Sequence, residues 1–309
     1  MKLNQLTTLL FVCIFFVSCQ KDDDPPPPKP PVAHAGNDQT IQLPANSFTL
    51  TGTGSTENGS ITGYLWSLVS GPNVPVITSP SSKSTTVTGF VAGTYVFQFL
   101  VVDNAGLTGI DSASVTLNQA PIQTLTLQPT NNNDERHILG NSDGFDQSTH
   151  ATELDAAAWT NGGIPIFLRG LFRFDISSIP ASATIVSAKL SLYSNPTPLN
   201  GDFIHANSGS NNSMYIRRIT NYWDPQLTFW LNQPGTTTVN QVSIPHTNQS
   251  SLDLIDVDVK NLVLDMRTSG NYGFMILLQN EVIYTIRDFC SSTYPDASKH
   301  PKLVVQYQP

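Results

Sequence analysis

Short runs rich in Val, Ile, Thr, Phe and Tyr recur along the chain, separated by clusters of Gly, Pro, Asn and Ser. No window holds a sustained 3.6-residue apolar period, so the pattern predicts strands throughout and an all-β protein. In the first half the strand signals fall at 40–43, 48–52, 63–69, 85–88, 93–102 and 112–117. That spacing suits an immunoglobulin-like sandwich. Within 95–102, alternation places Tyr95, Phe97 and Phe99 on one face, a predicted core shared with Trp66. Pro121, in Asn118-Gln119-Ala120-Pro121, cannot join a central ladder and marks a domain boundary, giving units at 32–118 and 122–309.

In the second unit the run 169–176 sets Phe172, Phe174 and Ile176 against Arg169, Leu171, Arg173 and Asp175. The run 188–193 sets Ala188, Leu190 and Leu192 against Lys189, Ser191 and Tyr193. At 214–219, Tyr215, Arg217 and Ile219 oppose Met214, Ile216 and Arg218. Each strand therefore offers polar or aromatic side chains away from its core set. Such a face suits either a sugar platform, with rings stacking on sugars and Arg pairing with carboxylates, or the ordinary solvated side of a sandwich.

The N-terminus has a different pattern. Lys2 and the apolar run Leu9 to Val17 fit a secretory signal and are too short to span a bilayer. Val17-Ser18-Cys19 resembles the lipobox of bacterial lipoproteins, which implies a signal peptide at 1–18 and an acylated Cys19. Ordinary cleavage at a small residue is the alternative. Gln20-Lys21-Asp22-Asp23-Asp24 resembles the surface-export signal of Bacteroidota lipoproteins, implying the outer face of the outer membrane; a plain solvated charge run is the other reading. Residues 25–31 are six prolines and Lys29, a polyproline II stalk of roughly 20 Å. Residues 19–31 thus read as a tether.

Of 309 residues, 39% are hydrophobic and 12% charged, enough for two folded cores. The net charge is -8, and loss of Lys2 with the signal makes it -9, which argues against a nucleic-acid partner. The cysteines are Cys13, Cys19 and Cys290, so no disulfide framework exists; Cys290, in the apolar run 286–290, reads as a buried inert thiol.

The first unit carries Ala35-Gly36-Asn37-Asp38-Gln39-Thr40, Gly63-Tyr64-Leu65-Trp66-Ser67, Gly93-Thr94-Tyr95-Val96-Phe97 and Val102-Asp103-Asn104-Ala105-Gly106. It resembles a PKD-type domain, which implies a spacer. Asp38 and Asp103 could share calcium, although Asp103-Asn104-Ala105-Gly106 has turn chemistry. In the second unit, the run Arg169 to Pro180, residues 183–193, Trp223, Phe229-Trp230, Asn271-Tyr272-Gly273-Phe274 and Pro301 to Tyr307 together resemble the DNRLRE domain and carbohydrate-binding module family 96. That resemblance implies a jelly-roll-like β-sandwich binding acidic or neutral polysaccharide.

The candidate carbohydrate-binding residues are Trp159 and Tyr294, in loop-like contexts, with Arg169, Arg173, Arg217, Arg287 and His300. Trp223 and Trp230 are assigned to core or loop-anchoring roles. With 11 Lys and Arg against 16 Asp and Glu in the second unit, net charge does not steer a polyanion to it. The loop Asn141-Ser142-Asp143-Gly144-Phe145-Asp146 offers Asp143 and Asp146 to structural calcium, or is a plain turn, since it lacks the distal Glu of an EF-hand loop. No other cofactor is expected. His137, His150, His205, His246 and His300 lack a metal-ligand spacing such as His-Glu-x-x-His, and no catalytic pair or nucleophile motif is present. The expected protein is a non-catalytic surface lipoprotein whose partners are polysaccharide, the outer membrane through its lipid anchor, and other glycan-uptake surface proteins. The alternative is an adhesin or structural surface protein contacting protein or matrix.

Overall fold

The computed structural model describes residues 27–309 except 58, 131, 132 and 150, so the expected signal segment, Cys19 and the acidic cluster lie outside the described residues. The chain divides into two compact units, one closing at Gln119 and one spanning Ala120–Pro309. It is nearly all-β, with 49% strand against 5% helix, an immunoglobulin-like unit followed by a curled β-sandwich.

The first unit contains β1 (Val32–His34), β2 (Gln39–Gln42), β3 (Ser47–Thr51), β4 (Thr53–Ser55), β5 (Ile61–Ser70), β6 (Val76–Ile77), β7 (Ser84–Thr88), β8 (Gly93–Asp103) and β9 (Thr108–Asn118). One sheet runs β2-β9-β8-β5, another β3-β7-β6, and β1 pairs with β4. Between the sheets Tyr95, Phe97 and Phe99 are fully buried with Trp66, Leu50, Val87 and Val115. Alternation along β8 dictated that set, because every second side chain of a strand shares one face. Asp103 and Asp38 act on local backbone. Asp103 Oδ1 accepts from the amides of Ala105 and Leu107, each at 2.9 Å, and Asp38 Oδ1 accepts from Ser114 N at 2.7 Å.

The second unit contains β10 (Gln123–Leu127), β11 (Glu135–Gly140), β12 (Asp146–Thr149), β13 (Glu153–Asn161), β14 (Ile164–Phe172), β15 (Thr184–Leu192), β16 (Asn207–Ser208), β17 (Met214–Ile219), β18 (Thr236–Ile244), β19 (Leu254–Asp258), α1 (Lys260–Ser269), β20 (Phe274–Leu278), β21 (Thr285–Cys290) and β22 (Lys302–Gln308). The larger sheet runs β16-β21-β13-β14-β20-β17-β18, with β11 joined to β14 and β12 to β11; the smaller runs β10-β22-β15-β19. The main core draws Ala156, Phe172, Met214, Ile216, Ile276 and Phe289 from the larger sheet and Ala188, Leu190, Leu192, Leu303 and Val305 from the smaller.

Three expectations need correcting. A helix does occur: Val259, Leu262, Val263 and Met266, at i, i+3, i+4 and i+7, form a buried stripe on and just before α1. It is a single short stripe, so it was lost among neighbouring apolar residues. The strand expected at 169–176 is β14, which begins at Ile164 and ends at Phe172; Phe174 and Ile176 are buried from the connection that follows. Finally, the face expected to be solvated or sugar-binding is partly a second apolar layer, in which Leu171, Ile219, Met275 and Leu277 pack with Ile138, Trp223 and Trp230. The segment carrying the two tryptophans folds over positions that strand alternation alone leaves open.

Candidate functional site

Period two along β13 puts Glu153, Asp155, Ala157 and Trp159 on one face. The face changes character along its length, from buried acids at one end to an aromatic ring at the other. Trp159 is two residues from the end of β13, next to the Gly162-Gly163 turn, whose positive φ values of 59° and 84° suit glycine. It therefore lies on a strand, not in the loop its sequence context suggests. Its ring packs on a small cluster of Ala157, Ile166, Leu168 and Ile286 and meets Tyr284 edge to face at 5.2 Å.

The remainder of Trp159 lines a cleft of about 340 Å³ together with Thr160, Asn161, Asn200, Gly201 and Phe203. Phe203 is 70% exposed and Tyr284 58% exposed. Both are non-glycine residues at positive φ, 61° and 67°, a conformation costing on the order of 1 kcal/mol that surrounding structure must hold in place. For Phe203 the holder is Asp202. Its Oδ1 accepts from Ile204 N at 3.0 Å and His205 N at 2.8 Å, and its Oδ2 lies 2.7 Å from His205 Nδ1. Slight burial pushes the Asp202 carboxyl up, but the His205 and Ile204 bonds outweigh it and leave it below the usual carboxylate value. Beside Phe203, Gly201 at φ 79° lets the loop settle on Ile286, 3.2 Å from where a Cβ would stand.

Larger depressions exist at Asn240–Ser243 with Asp258–Leu262, 540 Å³, and beside Arg173, 410 Å³. Neither displays an exposed ring, whereas the Trp159 cleft combines aromatic surface with amide and hydroxyl groups. That is the chemistry which stacks on a sugar face while hydrogen-bonding its hydroxyls.

The other expected binding residues are scattered. Arg169 stacks over Trp230 at 4.5 Å, bonds Gln233 Oε1 and Glu281 Oε1 at 2.7 Å each, and points to the opposite side of β14 from Ile166, the partner of Trp159. Arg173 stacks over Trp223 at 5.4 Å and donates to Asp134 Oδ1 and Asn133 O, each at 2.8 Å. Arg217 donates to Gln241 Oε1 at 2.8 Å beside Tyr215. Each of the three is engaged within the protein and lies apart from the cleft. Arg287 is fully buried on β21, not surface-exposed, with its guanidinium 5.8 Å from the Phe289 ring; burial lowers it to about 10. Tyr294 and His300 are half-buried, His300 Nε2 lying 2.7 Å from Tyr294 O. They follow Cys290, which pairs with Glu153 at the far end of β13, about 20 Å along the strand from Trp159.

In the loop expected to offer calcium ligands, the side chain of Asn141 does the organising: its Oδ1 accepts from Asp143 N at 3.0 Å and Phe145 N at 3.1 Å. Asp146 Oδ1 accepts from Leu231 N at 3.0 Å. The loop is built as a turn. The group of His, Asp and Glu side chains close enough to share an ion, among the described residues, is instead His137, Glu153 and Asp155, all buried, with ligand atoms within 4.8 Å of one another. Sequence reasoning set His137 aside because it sought ligands on one helix. The legible signal was Glu135-x-His137 and Glu153-x-Asp155, same-face pairs on two strands. Phe203, Tyr284 and Asn200 were missed as well, although Gly201-Asp202-Phe203-Ile204 sets apolar residues directly after turn residues.

The profile of the K319L-like PKD domain matches residues 35–117, and that of carbohydrate-binding module family 96 matches residues 166–307. The chain carries a PKD-like domain followed by a family 96 module. The mouse dyslexia-associated protein KIAA0319-like protein is 38% identical over 90 residues, 29% of this chain and 9% of that protein. Human low-density lipoprotein receptor-related protein 11 is 35% identical over 95 residues, 31% of this chain and 19% of that protein. The chain thus spans under a fifth of these relatives. The solution structure of the PKD domain from KIAA 1837 protein is 37% identical, covers 28% of this chain and 84% of its own, and has a TM-score of 0.26. A structure described under the promiscuous specificity of carbohydrate-binding modules from the β-sandwich superfamily covers 92% of this chain and 98% of its own, with 10% identity and a TM-score of 0.23.

Proposed function

We propose that the protein is a non-catalytic polysaccharide binder that holds its polymer in the Trp159 cleft of the family 96 module. The observation that carries this is the cleft itself: Trp159, in edge-to-face contact with Tyr284, lines it together with exposed Phe203 and with Asn161, Asn200 and Thr160, inside a unit that matches a carbohydrate-binding family. Among the described residues no Lys or Arg lines the cleft, so a neutral polymer fits it better than a uronic acid polymer, and hydroxyl-to-amide hydrogen bonds do the orienting. The nearest grouped carboxylates, Glu153 and Asp155, are fully buried and out of reach of a polymer, which favours binding over hydrolysis.

The tether is read from sequence: Cys19 carries the lipid, the proline run and the PKD-like domain act as spacer, and the module meets glycan outside the cell. A tethered binder meets repeated sites on one polymer, so weak single sites suffice. The test is affinity electrophoresis of the purified chain against neutral and uronic acid polymers, with Trp159→Ala and Phe203→Ala beside the parent. Retardation by a neutral polymer that both substitutions abolish is the expected result; retardation unchanged by either places binding elsewhere. Loss of acyl label and of membrane retention in Cys19→Ala tests the anchor.

A further inference from the structure

Toward the opposite end of β13 from Trp159, the same face carries an acidic group. Glu153, Asp155 and Asp288 are all fully buried, and Asp155 stands directly across from Asp288 in the β13–β21 register. Like charges opposite one another in a sheet destabilise it, and buried carboxylates without a counter-charge are costly. Arg287 does not answer them, because it projects from β21 to the other side, against Phe289 and Pro245 O.

Their hydrogen bonding is incomplete. His137 Nε2 is 3.2 Å from Asp155 Oδ2, yet neither ring nitrogen of the fully buried His137 makes a well-formed hydrogen bond. Buried polar atoms of this kind are normally satisfied, and two on one ring beside buried carboxylates call for a ligand. Room beside His137 and Glu153 exists: a void of about 10 Å³, the size of one monatomic ion or one water, is lined by Glu135, Arg136, His137 and Glu153 with Ser291 and Thr293, and Asp155 stands just outside that lining. The carboxylates around it are also held in orientation, as ligand carboxylates are. Glu153 Oε2 accepts from Leu199 N at 2.8 Å and Asn195 Nδ2 at 3.2 Å, Glu153 Oε1 accepts from Asn200, and Asn195 Nδ2 reaches Asp288 Oδ2 at 3.1 Å.

We propose that His137, Glu153 and Asp155 bind one divalent first-row cation, Zn²⁺ or Mn²⁺, which ties β11 to β13. A mixed imidazole and carboxylate donor set selects that class; calcium takes six to eight oxygens and does not recruit imidazole.

The test uses the full-length protein purified without chelator, with metal content measured by mass spectrometry. The protein is then stripped with EDTA and titrated with Zn²⁺, Mn²⁺ and Ca²⁺ separately, by calorimetry and thermal melting. Zn²⁺ or Mn²⁺ should bind with about one ion per chain, raise the melting temperature of the stripped protein, and weaken as pH falls. His137→Gln and Asp155→Asn should each weaken binding by more than about tenfold. Asp155→Asn serves as its own folding control: the amide is isosteric with the carboxyl and uncharged, so stripped it should melt no lower than stripped wild type. A stripped wild type whose melting is indifferent to Zn²⁺ and Mn²⁺ overturns the site in favour of carboxyls that share protons. Stoichiometric binding of Ca²⁺ alone overturns the mixed donor set, and variants that bind as wild type overturn the assignment of residues.

Discussion

Asn200 is bonded to Glu153: its Nδ2 donates to Glu153 Oε1, while Asn200 itself lines the cleft that holds Trp159. One side chain therefore joins the buried acidic group to the proposed glycan cleft. The backbone strengthens the link, since Leu199 N donates to the other Glu153 oxygen. The loop that presents Phe203 is pinned at its start by a carboxylate on β13, and whatever fixes that carboxylate also fixes one wall of the cleft.

Replacing Asn200 with Ala should act on both. Glu153 is buried and keeps only its other partners, so the loss of one charge-assisted bond should cost about 1.5–3 kcal/mol of stability by denaturant unfolding. Retardation by a glycan gel should fall in the same variant. A drop in stability with unaltered retardation would separate the two features.

At the cleft, Trp159→Ala should weaken polymer binding by more than about tenfold, the scale for truncating a central aromatic. Asn161→Ala should weaken it less, because an exposed amide exchanges a sugar hydroxyl for water. Isothermal titration with a defined oligosaccharide reads both. Arg169→Ala, whose guanidinium is occupied by Gln233 and Glu281, should leave affinity unchanged.

The Asp134–Arg173 pair should show in acid. Partial burial pushes the Asp134 carboxyl up, but the Arg173 and Thr130 hydrogen bonds more than reverse this and hold it below 3.8. A lowered native value means that the unfolded chain takes up the proton first. The stability from this pair is thus fully present above about pH 4 and is lost as pH falls through the native value. Arg173→Ala should cost about 1 kcal/mol near neutrality, the pair being only partly buried, and should flatten the decline in melting temperature below pH 4.

Cys290 should stay silent to thiol reagents in the native protein. It is fully buried and burial pushes its thiol up to about 12, so almost no thiolate exists at pH 8. Peptide mass spectrometry after iodoacetamide treatment should find the Cys290 peptide unmodified in buffer and fully modified in denaturant. Modification in buffer would mean that β21 opens locally.

Strand alternation and turn residues were enough to place most of the fold. Tyr95, Phe97 and Phe99 lie in the core because a strand repeats its facing every two residues. Local rules of this kind act over a few residues and can be read from them. The inert character of Cys290 was legible for the same reason, from the apolar run around it. What covers a face is a different matter. Leu171 and Ile219 are buried because Trp223 and Trp230 arrive from elsewhere in the chain, and Arg287 is buried because β13 and β16 flank it on both sides. The acidic group is the clearest case: His137 on β11, Glu153 and Asp155 on β13 and Asp288 on β21 are far apart in sequence, and only strand pairing brings them together. The identities of these side chains are in the sequence, but their burial and the void beside His137 and Glu153 come from long-range register, which no local spacing encodes.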